Sequence, residues 1–367
     1  MLIESAELRV VRLPLVTPFR TSQASQDERV ALIVRVRTSD GDGWADCPVG
    51  TRPAYEPEFL TGARAVMAEY LVPMLTAAPV VTAARVRGLL APVKGHQMAK
   101  AALEAAVLDA ELRASGMSFA EYLGAVRDRV PVGVSVGIPG SLTELISQVE
   151  GYLEEGYRRI KLKIEPGWDI EPVRAVRERF GAGVALQADA NAAYTPADAR
   201  HLRELDEFGL VLLEQPLAAD DLLGHAALAR LLSTPVCLDE SVTSPRAVAA
   251  ALRLGACSVI NIKPARVGGY LTARAIHDLC AAHDIPVWCG GMLETGLGRA
   301  ANLALAACEN FTLPGDISAT ARYFSEDITD PFVLEDGHIR VPTGPGNGAE
   351  VLPDVLDRLT THTEMLR

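Results

Sequence analysis

RRIKLKIEPG, residues 158–167, is an apolar run that carries Lys161 and Lys163 two positions apart. In a β-strand such positions share one face, about 7 Å from each other. Two ammonium groups on one side of a buried strand are either solvated or used, and the surrounding pattern decides which. From Pro131 onward, short apolar runs (VPVGVSVGI, RRIKLKI, VALQADA, LVLLEQP, PVCLDES, SVINIKP, IPVWCGG) alternate with amphipathic stretches such as EPVRAVRERF, TPADARHLREL and SPRAVAAALRL. Strand then helix, repeated about seven times with strands apolar on both faces, predicts a parallel sheet covered by helices. So many consecutive units within about 190 residues favour a closed β/α barrel over an open sheet.

The polar residues that end those strands fall at one interval. Lys163, Asp189, Glu214, Asp239 and Lys263 are separated by 26 (163 to 189), 25 (189 to 214), 25 (214 to 239) and 24 residues (239 to 263). One βα unit of a barrel has about that length, and the carboxyl ends of its strands open onto a single face where active sites are built. Three carboxylates in adjacent units, with no His or Cys beside them, suit a hard divalent ion bound through oxygen, Mg²⁺ best, with Mn²⁺ or Co²⁺ as substitutes. Lys161 and Lys163 lie one unit before the carboxylates and Lys263 one unit after, so amines flank whatever the metal holds. Lys161 is expected to lower the pKa of Lys163 toward the range of a base at neutral pH. The chemistry this suggests is removal of the hydrogen next to a metal-bound substrate carboxylate, with the cation stabilising the enediolate.

At 367 residues the chain is longer than one core usually grows, so two domains are expected. Its 35 Lys and Arg against 47 Asp and Glu give a net charge of −12, which excludes nucleic acid and anionic membranes as partners. No apolar run approaches the roughly 18 residues of a membrane span. The start, MLIESAELRV, lacks the basic and apolar segments of a secretory signal, which predicts a cytoplasmic protein. The six cysteines read as buried free thiols.

Residues 3–15 and 29–38 alternate apolar with polar, Val30, Leu32, Val34 and Val36 share a face, and SDGDG at 39–43 turns the chain, as in an antiparallel meander. TPFRTSQASQDER at 17–29 reads as a mobile loop. From 61 to 115 the pattern is helical, with Met98, Ala102, Ala105 and Leu112 on one stripe and Ser115-Gly116 as its end. FVLEDGHIRV at 332–341 reads as a hairpin turning at Asp336-Gly337. The predicted division is an α+β unit over residues 1–125, joined by the tail from about 325 to 367, and a barrel over 126–324. CGGMLETGLGRAANLAL at 289–305 suits either a phosphate cradle at a helix N-terminus or close backbone packing.

KLK on the second barrel strand, Asp, Glu and Asp on the next three and INIKPARVGG on the sixth resemble the muconate-lactonising subgroup of the enolase superfamily. More narrowly, IKLKIEPGWD, LLEQPL, CLDES, NIKPARVGGYL, PVWCGGMLETGLGRAAN and FTLPGD look like the o-succinylbenzoate synthase and N-acylamino acid racemase family. PLVTPFRTS and KGHQMAKAALEAAVLDAELRA extend the likeness over nearly the whole chain. The resemblance implies an α/β fold, a modified (β/α)7β TIM-type barrel under an α+β capping domain. It implies Mg²⁺ on Asp189, Glu214 and Asp239, and Lys163 and Lys263 as acid and base on opposite faces of the substrate. Ser135, Lys161, Asn191, Gly291, Met292 and Leu293 match substrate-contacting positions, Phe19 would close over the substrate, and Arg266 would tune Lys263.

The activity so implied is racemisation of N-acylated, N-succinyl amino acids, with dehydration to o-succinylbenzoate as a companion. The substrate is a small carboxylate and the protein a homo-oligomer. A muconate-type cycloisomerase shares the same lysines and metal. Dipeptide epimerases carry Asp-x-Asp on the last barrel strand, where Asp316-Ile317-Ser318 lacks the second Asp. Readings of another class are a metal-independent Schiff-base aldolase using Lys263 and a non-catalytic metal-binding barrel.

Overall fold

In a computed structural model, which describes residues 1–22 and 25–367, the chain begins with three antiparallel strands, β1 (Ile3–Arg20), β2 (Ser25–Thr38) and β3 (Gly41–Cys47). Val30, Leu32, Val34 and Val36 of β2 are all buried in the main core, as their spacing of two predicts. Ala31 and Ile33 face the other way and pack with Leu297 and Ala300 of the barrel. Helix Gln97–Ser115 lies against β3 and is buried along most of its length. Its C-terminus is closed by Gly116 at φ 74°, the left-handed conformation in which glycine lacks a Cβ penalty. Residues 60–89 form shorter helices, Leu60–Val66, Val72–Thr76 and Ala83–Leu89, around a π-helical turn at Met67–Leu71.

β1 and β2 run through most of the segment read above as a mobile loop. Phe19 pairs with Gln26 and Arg20 with Ser25, while Gln23 and Ala24 of that segment lie outside the described residues. The reason the sequence misled is that this end of the hairpin extends past the core, so its polar residues show no alternation.

A short strand β4 (Arg129–Pro131) leads into the parallel sheet β5 (Val134–Val136), β6 (Arg159–Lys163), β7 (Ala185–Asp189), β8 (Leu213–Glu214), β9 (Val236–Leu238), β10 (Val259–Ile262) and β11 (Val287–Cys289), neighbours in chain order. Residues 311–316 close the curl. The backbone N–H of Asp316 donates to Cys289 O at 2.9 Å and that of Gly133 to Gly315 O at 2.8 Å. Helices such as Ile170–Phe180, which buries Ile170, Val173 and Val176 on one stripe, cover the outside. The TPADARHLREL stretch is broken into two 3₁₀ turns around a single α-turn at Ala199–Leu202.

Asp336 and Gly337 turn as expected, at φ 50° and 75°, but the strand after them, β12 (His338–Arg340), pairs with β4 at the barrel's foot. The hairpin is thus a single bridge, Glu335 to His338. The last strand, β13 (Thr360–Leu366), adds to β1. The six cysteines are free and buried, and among the described residues no helix is long and apolar enough to cross a membrane.

β3 packs so closely on helix Gln97–Ser115 that a Cβ on Gly43 would collide with the backbone of Ala106 and Ala110. Gly43→Ala is expected to destabilise the protein by about 1–3 kcal/mol, the range for overpacked cores, read as a lowered urea midpoint.

Candidate active site

The ladder of the parallel sheet sets the site. Lys163 lies beside Asp189, and Asp189 beside Glu214. Asp239 and Lys263 each follow the last residue of their strand, β9 and β10. All five side chains are buried. One layer deeper, Ser135, Lys161 and Gln187 are themselves register partners. The predicted positions therefore meet at one mouth.

Their charges interlock. Lys161 Nζ lies 2.5 Å from Asp316 Oδ2 and 3.0 Å from both Asp189 Oδ2 and Glu214 Oε2, above the Trp288 ring at 5.0 Å. Lys163 donates to Asp189 Oδ2 at 2.6 Å and Asn191 Oδ1 at 2.7 Å. Lys263 donates to Asp239 Oδ2 at 2.8 Å and to Tyr55 Oη at 2.5 Å. Arg266 binds both oxygens of Asp239's end of the strand, its backbone carbonyl at 2.8 Å and its Oδ1, and reaches Glu56 Oε1 at 2.6 Å and Tyr55 Oη at 2.7 Å. Glu214 also accepts from Gln187 and Asn261, each at 2.8 Å.

The electrostatics follow from this packing. Burial works against charge on Lys161, yet Asp316, Glu214 and Asp189 outweigh it and hold its pKa well above the usual lysine value. Burial likewise opposes, and Asp239 supports, a raised Lys263. Burial alone would raise Asp189, but Lys163 and Lys161 bring it down to about 2. Glu214 is pushed up to about 8 by burial and by the charge of Asp189, against Lys161. The expected role of Lys161 as a bare charge beside Lys163 is corrected here, because its ammonium is compensated by three carboxylates.

Among the described residues no three His, Cys, Asp or Glu side chains stand together as a ready metal-holding group. Each carboxylate leans toward an ammonium instead. The donor set nevertheless fits a hard cation: Asp189, Glu214 and Asp239 offer only oxygen, are buried, and crowd one another enough to raise Glu214.

The mouth opens into a cleft of about 1260 Å³ between barrel and capping domain. Phe19, Ser135, Lys161, Lys163, Asn191, Lys263, Gly291, Met292 and Leu293 line it, while Arg266 sits behind Asp239. Phe19 is half-buried, edge-on to Tyr323 with ring centres 6.1 Å apart. Gly290 is required by close approach, since a Cβ there would collide with Asn261 and Lys263. The phosphate-cradle reading of this glycine-rich segment gives way to packing: the helix Gly296–Ala306 starts at Thr295, whose N–H donates to Asp46 Oδ2 at 2.6 Å.

Sequence reasoning missed several partners. Gln187 and Asn261 stand two residues before Asp189 and Lys263, so the same-face rule that singled out Lys161 would have found them. Arg159, which donates to Asp316 Oδ1 at 2.6 Å, lay inside the opening run. Tyr55 and Glu56 come from irregular chain in the capping domain and carried no signal.

Ionisable side chains gathered at the carboxyl ends of barrel strands, under a domain that roofs them, define a barrel enzyme. Residues 144–355 match the enolase C-terminal domain-like family and residues 5–124 the mandelate racemase / muconate lactonizing enzyme N-terminal domain. The chain belongs to the enolase superfamily, in its mandelate racemase / muconate lactonizing enzyme branch. It is 61% identical to an N-succinylamino acid racemase of an Amycolatopsis species, over 98% of each chain. It is 45% identical to an o-succinylbenzoate synthase of Geobacillus kaustophilus, over 99% of this chain and 97% of the relative. A solved structure of an enolase superfamily member from Listeria innocua superposes with a TM-score of 0.95 at 40% identity, covering 100% of this chain and 99% of the other.

Asp316 tests the charge network apart from the chemistry. Burial would raise its carboxyl, but Lys161 and Arg159 hold it well below the usual range. A group lowered in this way lends stability above its unfolded pKa, near 3.8, and loses it as pH falls toward the folded value. Asp316→Asn is therefore expected to cost about 3–5 kcal/mol at pH 7, with the gap to the unaltered protein narrowing below pH 4 in urea titrations.

Proposed function

We propose that this protein is a Mg²⁺-dependent racemase of N-succinyl amino acids that works by moving the α-proton, and that it also carries o-succinylbenzoate synthase activity. The observation that carries this reading is the placement of Lys163 and Lys263. They end β6 and follow β10, four strands apart in an eight-membered ring, so they flank one cleft from opposite sides with Asp189, Glu214 and Asp239 between them. The names of the relatives support it. They do not favour the cycloisomerase, and the Schiff-base and non-catalytic readings have no support among them.

Members of the superfamily generally use a divalent metal. Asp189, Glu214 and Asp239 would hold it here, where it would supply positive charge against the negative charge that grows on the substrate carboxylate as the C–H bond breaks. Mn²⁺ or Co²⁺ would serve the same donor set. The lysines do the proton work. One amine takes the α-proton from its face of the substrate, and the opposite ammonium delivers a proton to the other face, which inverts the centre. In the companion dehydration, Lys163 removes the proton and hands it to the hydroxyl on the neighbouring carbon as the C–O bond breaks and water leaves, while Lys263 remains an ammonium beside the developing charge. Lys161 keeps the carboxylates neutralised from below, and Arg266 with Tyr55 orients Asp239 beside Lys263.

Lys163→Ala and Lys263→Ala are each expected to lower racemisation of N-succinyl-phenylalanine by at least about 10²–10⁴-fold, followed by polarimetry and by loss of the α-hydrogen signal in D₂O. A wild-type rate in either variant would falsify the two-base scheme. Chelation by EDTA is expected to stop both racemisation and o-succinylbenzoate formation, and Mg²⁺ to restore them.

A further inference from the structure

Beside the lysines, two buried guanidiniums line the cleft, those of Arg29 and Arg299. Arg29 on β2 is 5% exposed. It shares its face of the sheet with Ala31 and Ile33, which pack on Leu297 and Ala300, so its guanidinium is directed to the barrel mouth and away from the capping-domain core. Other buried guanidiniums are bonded: Arg159 to Asp316 and to Pro314 O, Arg266 to Asp239, Glu56 and Tyr55, Arg299 to the carbonyls of Ser318 and Glu294. Arg29 differs. Its Nε and Nη2 are buried and meet no hydrogen-bond partner among the described residues.

The carboxylates whose charge Arg29 feels are Asp46 and Glu294; neither is hydrogen-bonded to Arg29 Nε or Nη2, and Asp46 Oδ1 is likewise buried without a partner among the described residues. Asp46 Oδ2 accepts from Thr295, while Glu294 accepts from the backbone of Met292 at 2.8 Å and from Asn302 at 3.0 Å. Burial lowers the pKa of Arg29 against the pull of these two acids. Buried donors left unmade are costly, and a guanidinium is shaped to take a carboxylate through two parallel bonds.

The substrate of one named relative and the product of the other share a feature that answers this. An N-succinyl amino acid has one carboxylate next to the reacting carbon and a second at the far end of its acyl arm; o-succinylbenzoate has one on its ring and one on a four-carbon arm. The first is spent on the catalytic centre. We infer that Arg29 binds the second, and that the cleft thereby selects dianionic acids over monoanionic ones. The inference rests on the function proposed above and adds to it the residue that reads the acyl group.

The test compares kcat/KM for α-proton exchange on N-succinyl-phenylalanine and N-acetyl-phenylalanine, in the wild type, in Arg29→Gln, and in Arg52→Gln, which alters the exposed arginine on the cleft rim. Arg29→Gln is expected to lower the succinyl-to-acetyl preference by about 10–100-fold, the worth of hydrogen bonds between charged groups, with Arg29→Lys between the two. A preference unchanged in Arg29→Gln, both substrates falling together, would mark Arg29 as a structural partner of Asp46 and overturn the inference. So would a loss of preference confined to Arg52→Gln. Should Arg29→Gln fail to fold, the wild type still decides: it must prefer N-succinyl-phenylalanine to its neutral terminal amide by at least about tenfold, and equal rates would overturn the inference. Racemisation of the acetyl compound without preference would sink the role of Arg29 alone, whereas exchange of neither acid would sink the proposed function together with it.

Discussion

The arrangement depends on charge balance among buried groups. Asp189, Glu214, Asp239 and Asp316 are buried at one end of the barrel together with Lys161, Lys163, Lys263, Arg159 and Arg266. None of these groups would be tolerated there alone, since an uncompensated buried ion costs several kcal/mol. Each is tolerated because the strand ladder brings a partner of opposite sign within about 3 Å. The βα repeat of about 25 residues is therefore an electrostatic constraint as well as a topological one: moving a strand end by one residue would turn its charge to the outer face of the sheet.

The capping domain completes this balance. Tyr55 and Glu56 reach across to Lys263 and Arg266, so the amine on that side is held by groups some two hundred residues away. Glu104, buried on helix Gln97–Ser115, accepts from the N–H groups of Tyr270 and Leu271 at 3.0 Å each, capping the helix that follows the loop of Arg266. Burial pushes that carboxyl up to about 7, and only the two backbone donors oppose it. Docking of the two domains and orientation of the site are one set of contacts.

The barrel and its ionisable ring were legible in the sequence because both obey a period, two along a strand and about 25 between units. Lys163, Asp189, Glu214, Asp239 and Lys263 come together as that period requires. What lacked a period was illegible. Tyr55 lies in irregular chain, Asp316 was weighed only for a missing neighbour, and the outer half of the β1–β2 hairpin, whose inner side meets the cleft instead of the core, reads as loop. The depth of burial was also hidden. Lys161 reads as a charge that acts on Lys163, whereas in three dimensions its first neighbours are carboxylates.

Under the function proposed above, the division between the two domains would let one cleft suit two reactions. Racemisation and dehydration begin alike, with loss of a hydrogen beside a carboxylate, and that step belongs to barrel residues on strands that cannot shift without breaking the charge network. They diverge afterwards: a proton is returned to the opposite face, or the hydroxyl on the neighbouring carbon takes up a proton and leaves as water. Which of these follows would depend on what the rest of the substrate is and how it lies, and the capping domain's contribution to the cleft that would hold it includes Phe19, Gln26 and Thr51. Among the described residues, Phe19, Gln26 and Thr51 themselves make no contact in the buried ion network, although Tyr55 and Glu56, further along the irregular stretch, do. Under the proposed function, substitution of Phe19, Gln26 or Thr51 would change the acid that is held while leaving the proton step in place.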